Sequence, residues 1–185
     1  IVEHIENSEE ERPIALLEAA IEAANLKVLE KSQSDRSLEG MGTTVVACTI
    51  KSDCLYVANV GDSRLYVLDD QITQITRDHS LVEEMVRAGQ LQREEARDHP
   101  KKNLITRAVG VKNQLQGDYF DVALYPGDKV LLCSDGLTNM AEDNEILQLV
   151  QEEPVLEAAA HRLVALANRN GGKDNISVVL IELQS

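Results

Sequence analysis

One run of residues, Lys129 to Thr138, limits the possible folds more than any other part of the sequence. It reads Lys-Val-Leu-Leu-Cys-Ser-Asp-Gly-Leu-Thr, and its apolar half predicts a buried β-strand that delivers the carboxylate of Asp135 at its end. A buried strand holds such a carboxylate in one place, and Gly136 lets the backbone turn sharply directly after it. The run therefore predicts a functional aspartate at the end of a core strand.

Two further aspartates occupy comparable positions. Asp174 precedes the apolar stretch Ile176–Ile181, and Asp62 lies in a Gly61-Asp62 turn that is predicted to join two alternating strands within Val57–Tyr66. Taken alone, each aspartate is better explained by turn formation than by metal binding. If the three converged, however, they would form an oxygen-lined cation site. Because no His or Cys partners them, such a site would favour Mg²⁺ or Mn²⁺ over zinc.

The charge and composition of the chain exclude several classes of function. Its 18 Lys and Arg residues are outnumbered by 32 Asp and Glu residues, the net charge is −14, and only 3% of residues are aromatic. Such a surface repels phosphate backbones and offers few rings for base stacking, so we expect no nucleic-acid binding. An anionic substrate would need bound cations to mediate contact. No apolar run approaches the ~18 residues of a spanning helix, so no membrane association is predicted.

The cysteines point to a reducing compartment. Cys48, Cys54 and Cys133 lie in apolar or strand-like stretches, without a CxxC pair. Three cysteines cannot all pair within one chain, which favours reduced thiols over a disulfide framework or a zinc site. We therefore expect a cytoplasmic location. The length of 185 residues predicts one domain, residues 1–185.

The hydrophobic periodicities predict a mixture of helices and strands. In chain order they predict a helix over 13–29, strands over 43–50, 54–60, 65–68 and 71–75, helices from 78–80 to 88 and over 92–97, strands over 104–109 and 119–124, the strand of the 129–138 run, helices over 143–150 and 154–168, and a last strand over 176–181. The short connections between the strands that precede residue 76 predict an antiparallel meander. The order as a whole predicts an α+β layered sandwich.

The segment from Arg77 to Arg107 interrupts the rhythm of the strands. It carries many charges and few apolar anchors, which is typical of a mobile insertion at the edge of a site. A merely solvated connection fits the pattern equally well. Within it, His79 follows an aspartate in a polar stretch, where a histidine is more often a cap or a hydrogen-bond partner than a general acid.

Six ordered motifs give the chain a specific resemblance. They are Gly42-Thr43-Thr44, Ala58–Arg64, Thr76–Ser80, Thr106–Gly110, Ser134–Thr138 and Asp174-Asn175. In order and approximate spacing they resemble the metal-dependent type 2C serine/threonine protein phosphatases, most closely the compact bacterial members. The resemblance implies a sandwich of two antiparallel sheets flanked by helices. It also implies hydrolysis of phosphoserine and phosphothreonine in proteins by a metal-activated water, without a phosphoenzyme, in signalling opposite a serine/threonine kinase.

The resemblance assigns roles to the three strand-end aspartates. Asp135 and Asp174 match ligands of the family's binuclear Mg²⁺ or Mn²⁺ centre, and Asp62 together with Asp135 matches ligands of a third, weaker cation site. Some relatives carry another aspartate four residues after Asp135, where this chain has Asn139, and we expect that difference to weaken the third site. By the same comparison, residues 77–107 correspond to the flap, which influences substrate choice and turnover.

The chain departs from the family pattern at its beginning. The family's first strands bring an acidic ligand and an Asp-Gly-x-Gly-Gly loop whose aspartate bridges both cations, and neither occurs here. Ile1–Ile5 resembles the helix that follows that loop. We therefore expect the N-terminal part of the domain, with two sheet strands, to be missing. This would leave half a binuclear site and an unpaired sheet edge, through which the chain could pair with another.

Two functional hypotheses follow from this departure. The chain either belongs to an active phosphatase domain, or is a non-catalytic phosphatase-like fragment or interaction module that binds phosphoproteins or another chain. A haloacid-dehalogenase-type phosphatase is disfavoured because its chemistry needs an aspartate two residues after the nucleophile, where Leu137 stands. A serine hydrolase is disfavoured because the sequence has no GxSxG elbow.

Overall fold

The computed structural model describes residues 1–183. Its helices are α1 (Val2–Glu6), α2 (Pro13–Ser34), α3 (Leu81–Arg87), α4 (Arg93–Ala96), α5 (Asp135–Thr138), α6 (Asp143–Glu152) and α7 (Leu156–Arg169). Its strands are β1 (Val45–Lys51), β2 (Cys54–Val60), β3 (Arg64–Leu68), β4 (Ile72–Gln74), β5 (Asp118–Ala123), β6 (Lys129–Cys133) and β7 (Val178–Glu182). By internal contacts the chain divides into two compact units.

The first unit comprises Ile1–Asp62 and Arg77–Ala123. Its sheet has the order β1-β2-β5 with antiparallel pairing throughout. Helix α2 begins with a proline in its first turn, a position at which the missing N–H costs nothing. Apolar side chains three and four residues apart along α2, among them Leu17 and Ile21, are buried with Ala58 and Val60 of β2. This helix therefore covers one face of the sheet.

The second unit comprises Ser63–Thr76 and the chain from Leu124 onward. Its antiparallel sheet has the order β4-β3-β6-β7, so the predicted core strand β6 lies between two others. Its core contains Tyr66 and Leu131 from the sheet, packed with Ile146 of α6 and Leu163 of α7. The predicted α+β fold of two antiparallel sheets flanked by helices is therefore confirmed.

The predicted hairpin through Gly61-Asp62 is wrong. Strand β2 pairs with β1 and β5, whereas β3 pairs with β4 and β6. A strand has two hydrogen-bonding edges, and both edges of β2 and of β3 are already occupied by other partners. The Gly61-Asp62 turn therefore carries the chain from one sheet to the other, and the predicted meander breaks there.

The strand predicted over residues 104–109 is also wrong. Its residues form isolated bridges, Ile105 with Ser80 and Val109 with Thr43, because they pair with two separate segments of the first unit. Helix α3, in contrast, begins as predicted. The Ser80 side chain caps it by accepting a hydrogen bond from the Glu83 N–H at 3.3 Å. Among residues 1–183, no helix has the length and the apolar character needed to cross a bilayer.

Candidate metal centre

The end of β6 is tied to the segment that leads into β7. The Ser134 N–H donates to the Ser177 carbonyl at 3.1 Å. The Ser134 hydroxyl donates to the Asn175 carbonyl at 3.1 Å and accepts from the Ser177 N–H at 3.0 Å. These three bonds continue the β6–β7 pairing beyond the Cys133–Val178 pair. As a result, the residues directly after β6 lie beside the residues directly before β7.

Glycine is required where these two segments cross. A Cβ built on Gly136 would lie 2.2 Å from the Asn175 carbonyl oxygen, well inside contact distance. The oxygen belongs to the backbone and cannot rotate away. The absence of a side chain at Gly136 thus lets Asp135 and Asp174, the neighbours of the crossing residues, approach each other.

The pKa of Asp135 is affected by the nearby charge of Asp174. Burial raises the pKa of Asp135, and the negative charge of Asp174 raises it further. The Gly136 N–H and the Asn139 side chain, which donates to Asp135 Oδ2 at 3.1 Å, act in the opposite direction. Asp135 is half-buried, whereas Asp174 is exposed. A divalent cation bound by both carboxylates would offset their mutual repulsion.

The donor chemistry of the pair fits Mg²⁺ or Mn²⁺, which are bound through carboxylate oxygens. The pair does not amount to a full ligand set, because residues 1–183 contain no group of three or more His, Cys, Asp or Glu side chains arranged to hold a metal ion. Asp135 and Asp174 therefore fit a cation as two of its ligands.

Arg64 is a nearby cation to which sequence reasoning gave no role. It begins β3 opposite Cys133, and its guanidinium donates to the hydroxyl of the fully buried Tyr66 at 3.0 Å. The positive charge of Arg64 lowers the pKa of Asp135, against the larger effect of burial. The signal that would have found it is a basic residue at the start of the strand that pairs with the end of β6.

Asp62 belongs to the first unit, at the end of β2. The preceding Gly61 has φ +119°, a value that side-chain-bearing residues rarely adopt, and a Cβ built on it would lie 2.4 Å from the Thr44 Cβ. The Gly61 N–H donates to His79 Nδ1 at 3.1 Å. The expectation that His79 is a hydrogen-bond partner is therefore confirmed.

His79 also belongs to a charged cluster that sequence reasoning missed. Its Nε2 lies 3.3 Å from Asp118 Oδ2, and the Arg107 guanidinium donates to Asp118 Oδ1 at 2.8 Å. Burial alone would raise the pKa of Asp118, but the bonds from Arg107 and His79 hold it below its ordinary value. The pKa of His79 is also lowered, chiefly because burial disfavours its charged form. These residues lie on separate segments of the chain, and no local pattern shows that their side chains meet.

Comparisons with known proteins agree with this architecture. Residues 1–176 match the family described as protein phosphatase 2C. The serine/threonine phosphatase stp of Listeria monocytogenes is 41% identical over 167 residues, which are 90% of this chain and 66% of that protein. The chain thus spans slightly less than two thirds of the length of such curated relatives.

Solved structures give the same result. The serine/threonine phosphatase PstP/Ppp of Mycobacterium tuberculosis superposes with a TM-score of 0.92 at 37% identity, covering 100% of this chain and 78% of that one. A catalytic domain of PstP in complex with two manganese ions superposes with a TM-score of 0.89 at 34% identity, covering 100% and 77%. The chain therefore belongs to the protein phosphatase 2C family.

Proposed function

We propose that this chain takes part in metal-dependent hydrolysis of phosphoserine and phosphothreonine in proteins. The observation that carries the proposal is the Asp135–Asp174 pair, held where β6 and the segment before β7 cross. The relatives named above are serine/threonine phosphatases, and one neighbouring structure contains two manganese ions. Because the chain covers 66% of the first of these relatives, the activity of the whole protein is an inference from the family and this pair.

The roles of the aspartates follow the same proposal. Asp135 and Asp174 would hold a divalent cation, Mg²⁺ or Mn²⁺, and Asp62 together with Asp135 would contribute to a further, weaker site. When bound, such cations activate water for attack and offset the charge of a phosphoryl group. The chain itself supplies rigidity, since Ser134 and Gly136 fix the backbone on which Asp135 is mounted. Asn139 keeps one carboxylate oxygen of Asp135 oriented.

The remaining assignments rest on the family. The substrates would be phosphoproteins that are targets of a serine/threonine kinase, or the kinase itself. Residues 77–107 would act as a flap that influences substrate choice, and within them the Arg93 guanidinium pairs with the Glu83 carboxylate to join α3 to α4. A cytoplasmic location is supported by the cysteine pattern, since Cys48, Cys54 and Cys133 form no CxxC pair and three cysteines cannot all pair within one chain.

A second candidate function is a phosphatase-like module that binds phosphoproteins or another chain without hydrolysing them. One observation favours it: among the described residues, the candidate site has the two carboxylates of Asp135 and Asp174 but no group of three or more His, Cys, Asp or Glu side chains arranged to hold a metal ion. Under this hypothesis the acidic pair would still bind a cation, but no phosphate would be released.

The test is release of phosphate from a phosphothreonine peptide in the presence of Mn²⁺. We expect the wild-type chain to release phosphate, Asp135→Asn to lose the release, and Asp121→Asn to keep it. Asp121 is an exposed aspartate on β5 and serves as the matched control. No metal-dependent release, from protein shown to be folded by circular dichroism, would contradict catalysis by this chain and favour the non-catalytic module.

A further inference from the structure

His79 forms hydrogen bonds with both the N–H and the carbonyl of Gly61. The Gly61 N–H donates to His79 Nδ1 at 3.1 Å, and the His79 N–H donates to the Gly61 carbonyl at 2.8 Å. The Asn59 side chain adds a longer bond to the same carbonyl at 3.3 Å. This arrangement, which we name the Gly61–His79 clamp, joins two residues that are 18 positions apart.

The clamp fixes the tautomer of His79. A backbone N–H can only donate, so Nδ1 must carry no proton, and in the neutral ring the proton is on Nε2. That nitrogen faces Asp118 Oδ2 at 3.3 Å, which accepts the bond. Arg107 lies 3.1 Å from Nε2 and donates to the other oxygen of Asp118. The carboxylate therefore accepts from both neighbours and orients the ring toward Gly61.

The clamp acts where the backbone most needs support. Gly61 has φ +119° and no space for a Cβ beside Thr44. Glycine can adopt this conformation, but it can also adopt many others, so the residue alone does not hold the turn. The two bonds to His79 select one conformation. The next residue is Asp62.

We propose that His79 is a positioning residue that sets the placement of Asp62 by clamping Gly61. The proposal rests on the proposed role of Asp62 as a cation ligand. His79 is not placed for proton transfer to a substrate, since its side chain is only 3% exposed and both ring nitrogens face partners. Its effect on the reaction therefore passes through the backbone of the turn.

The experiment compares two variants, each of which replaces one of the two ring nitrogens with a side-chain amide group. In His79→Asn the side-chain oxygen can occupy the position of Nδ1 and accept from Gly61, whereas in His79→Gln the amide can reach Asp118 but not Gly61. The measurements, by NMR on the full chain, are the hydrogen-exchange rate of the Gly61 amide without metal and the Mn²⁺ concentration that half-broadens the Asp62 resonance. Loss of one hydrogen bond predicts exchange roughly five- to tenfold faster in His79→Gln, with His79→Asn close to wild type.

We expect the Mn²⁺ concentration to rise several-fold in His79→Gln but little in His79→Asn. Equal behaviour of the two variants in both measurements would overturn the proposal, because a purely structural role of His79 would affect them alike. Asp62→Asn separates this failure from failure of the proposed function. If Asp62→Asn leaves the Mn²⁺ response at the turn unchanged, Asp62 is not a ligand, and the positioning role is overturned even if the clamp forms.

A measurement on the wild-type chain covers the case in which the variants do not fold. The ¹⁵N shifts of the His79 ring report which nitrogen carries the proton. We expect an unprotonated Nδ1 and a protonated Nε2 at neutral pH. A proton on Nδ1 would contradict the clamp, because the Gly61 N–H would then have no acceptor.

Discussion

Asp135 and Asp62 each follow a strand and each adjoin a glycine, yet different parts of the chain hold them. Beside Asp135, a side chain at Gly136 is excluded by the Asn175 backbone carbonyl, which would lie 2.2 Å from an added Cβ. The same carbonyl accepts a hydrogen bond from the Ser134 hydroxyl. Beside Asp62, a side chain at Gly61 is excluded by the Thr44 side chain, and the Gly61 N–H donates to the His79 ring. Both supports come from distant segments, but Asp135 is held mainly against backbone groups of Asn175 and Ser177, whereas Asp62 is held by the side chains of Thr44 and His79.

The largest expected effect is from filling the two glycine positions. Gly136→Ala and Gly61→Ala would each force the backbone or Thr44 to move, and we expect each to lower the free energy of unfolding by about 2–4 kcal/mol. Gly127→Ala is the control. Gly127 has a positive φ of +96°, as Gly61 does at +119°, but nothing lies within 4 Å of a Cβ added to it. Chemical denaturation measures all three. A cost at Gly136 no greater than that at Gly127 would contradict the close crossing.

A smaller effect is expected from Ser134→Ala. This change removes the hydroxyl that bonds to both Asn175 and the Ser177 N–H, so we expect a loss of about 1 kcal/mol and a drop in Tm of roughly 2–4 °C. Ser34→Ala is a matched control, because its exposed hydroxyl bonds only within its own helix turn, to the Lys31 carbonyl at 3.0 Å. Equal changes in the two variants would show that Ser134 does not tie the strands together.

The smallest expected effect is a dependence of stability on pH at the clamp. The pKa of His79 in the folded chain lies below its ordinary value of 6.5. Just below pH 6.5, His79 is therefore protonated in the unfolded chain but remains neutral in the folded chain. Stability should therefore fall as pH decreases below 6.5, and His79→Asn should reduce that slope. Asp118, Arg107 and Asp78 also act on the ring. The lowered pKa of Asp118 stabilises the folded chain by a constant amount above its ordinary value of 3.8, so it adds no slope between pH 7.5 and 5. Urea unfolding between pH 7.5 and 5 measures the slope, and identical slopes in the two proteins would contradict burial of a neutral His79.

The local elements could be predicted from the sequence because their signals are local. Strand β2 has the bounds that alternation predicted, Cys54–Val60, and Asp135 directly follows the predicted core strand. Helix α2 continues past the predicted end at Leu29 to Ser34, since no proline or glycine stops it there. Periodicity and turn chemistry are sufficient for features of this kind.

Pairings between distant segments could not be predicted in the same way. The sequence favoured a hairpin at Gly61-Asp62 because nothing local shows that both edges of β2 are occupied by β1 and β5. The clamp of His79 and the orientation of that ring by Asp118 depend on contacts across 18 or more positions. The proximity of Asp174 to Asp135, by contrast, was expected from two strand ends and from the resemblance to the family.

Binding of a divalent cation by Asp135 and Asp174 is tested most directly with Mn²⁺. Electron paramagnetic resonance of free Mn²⁺ would give the affinity of the wild-type chain, of Asp135→Asn and of Asp174→Asn, with Asp121→Asn as the control. We predict a loss of at least about tenfold, or ~1.4 kcal/mol, in each of the first two variants and none in the control. Unchanged Mn²⁺ affinity in both Asp135→Asn and Asp174→Asn would contradict the account.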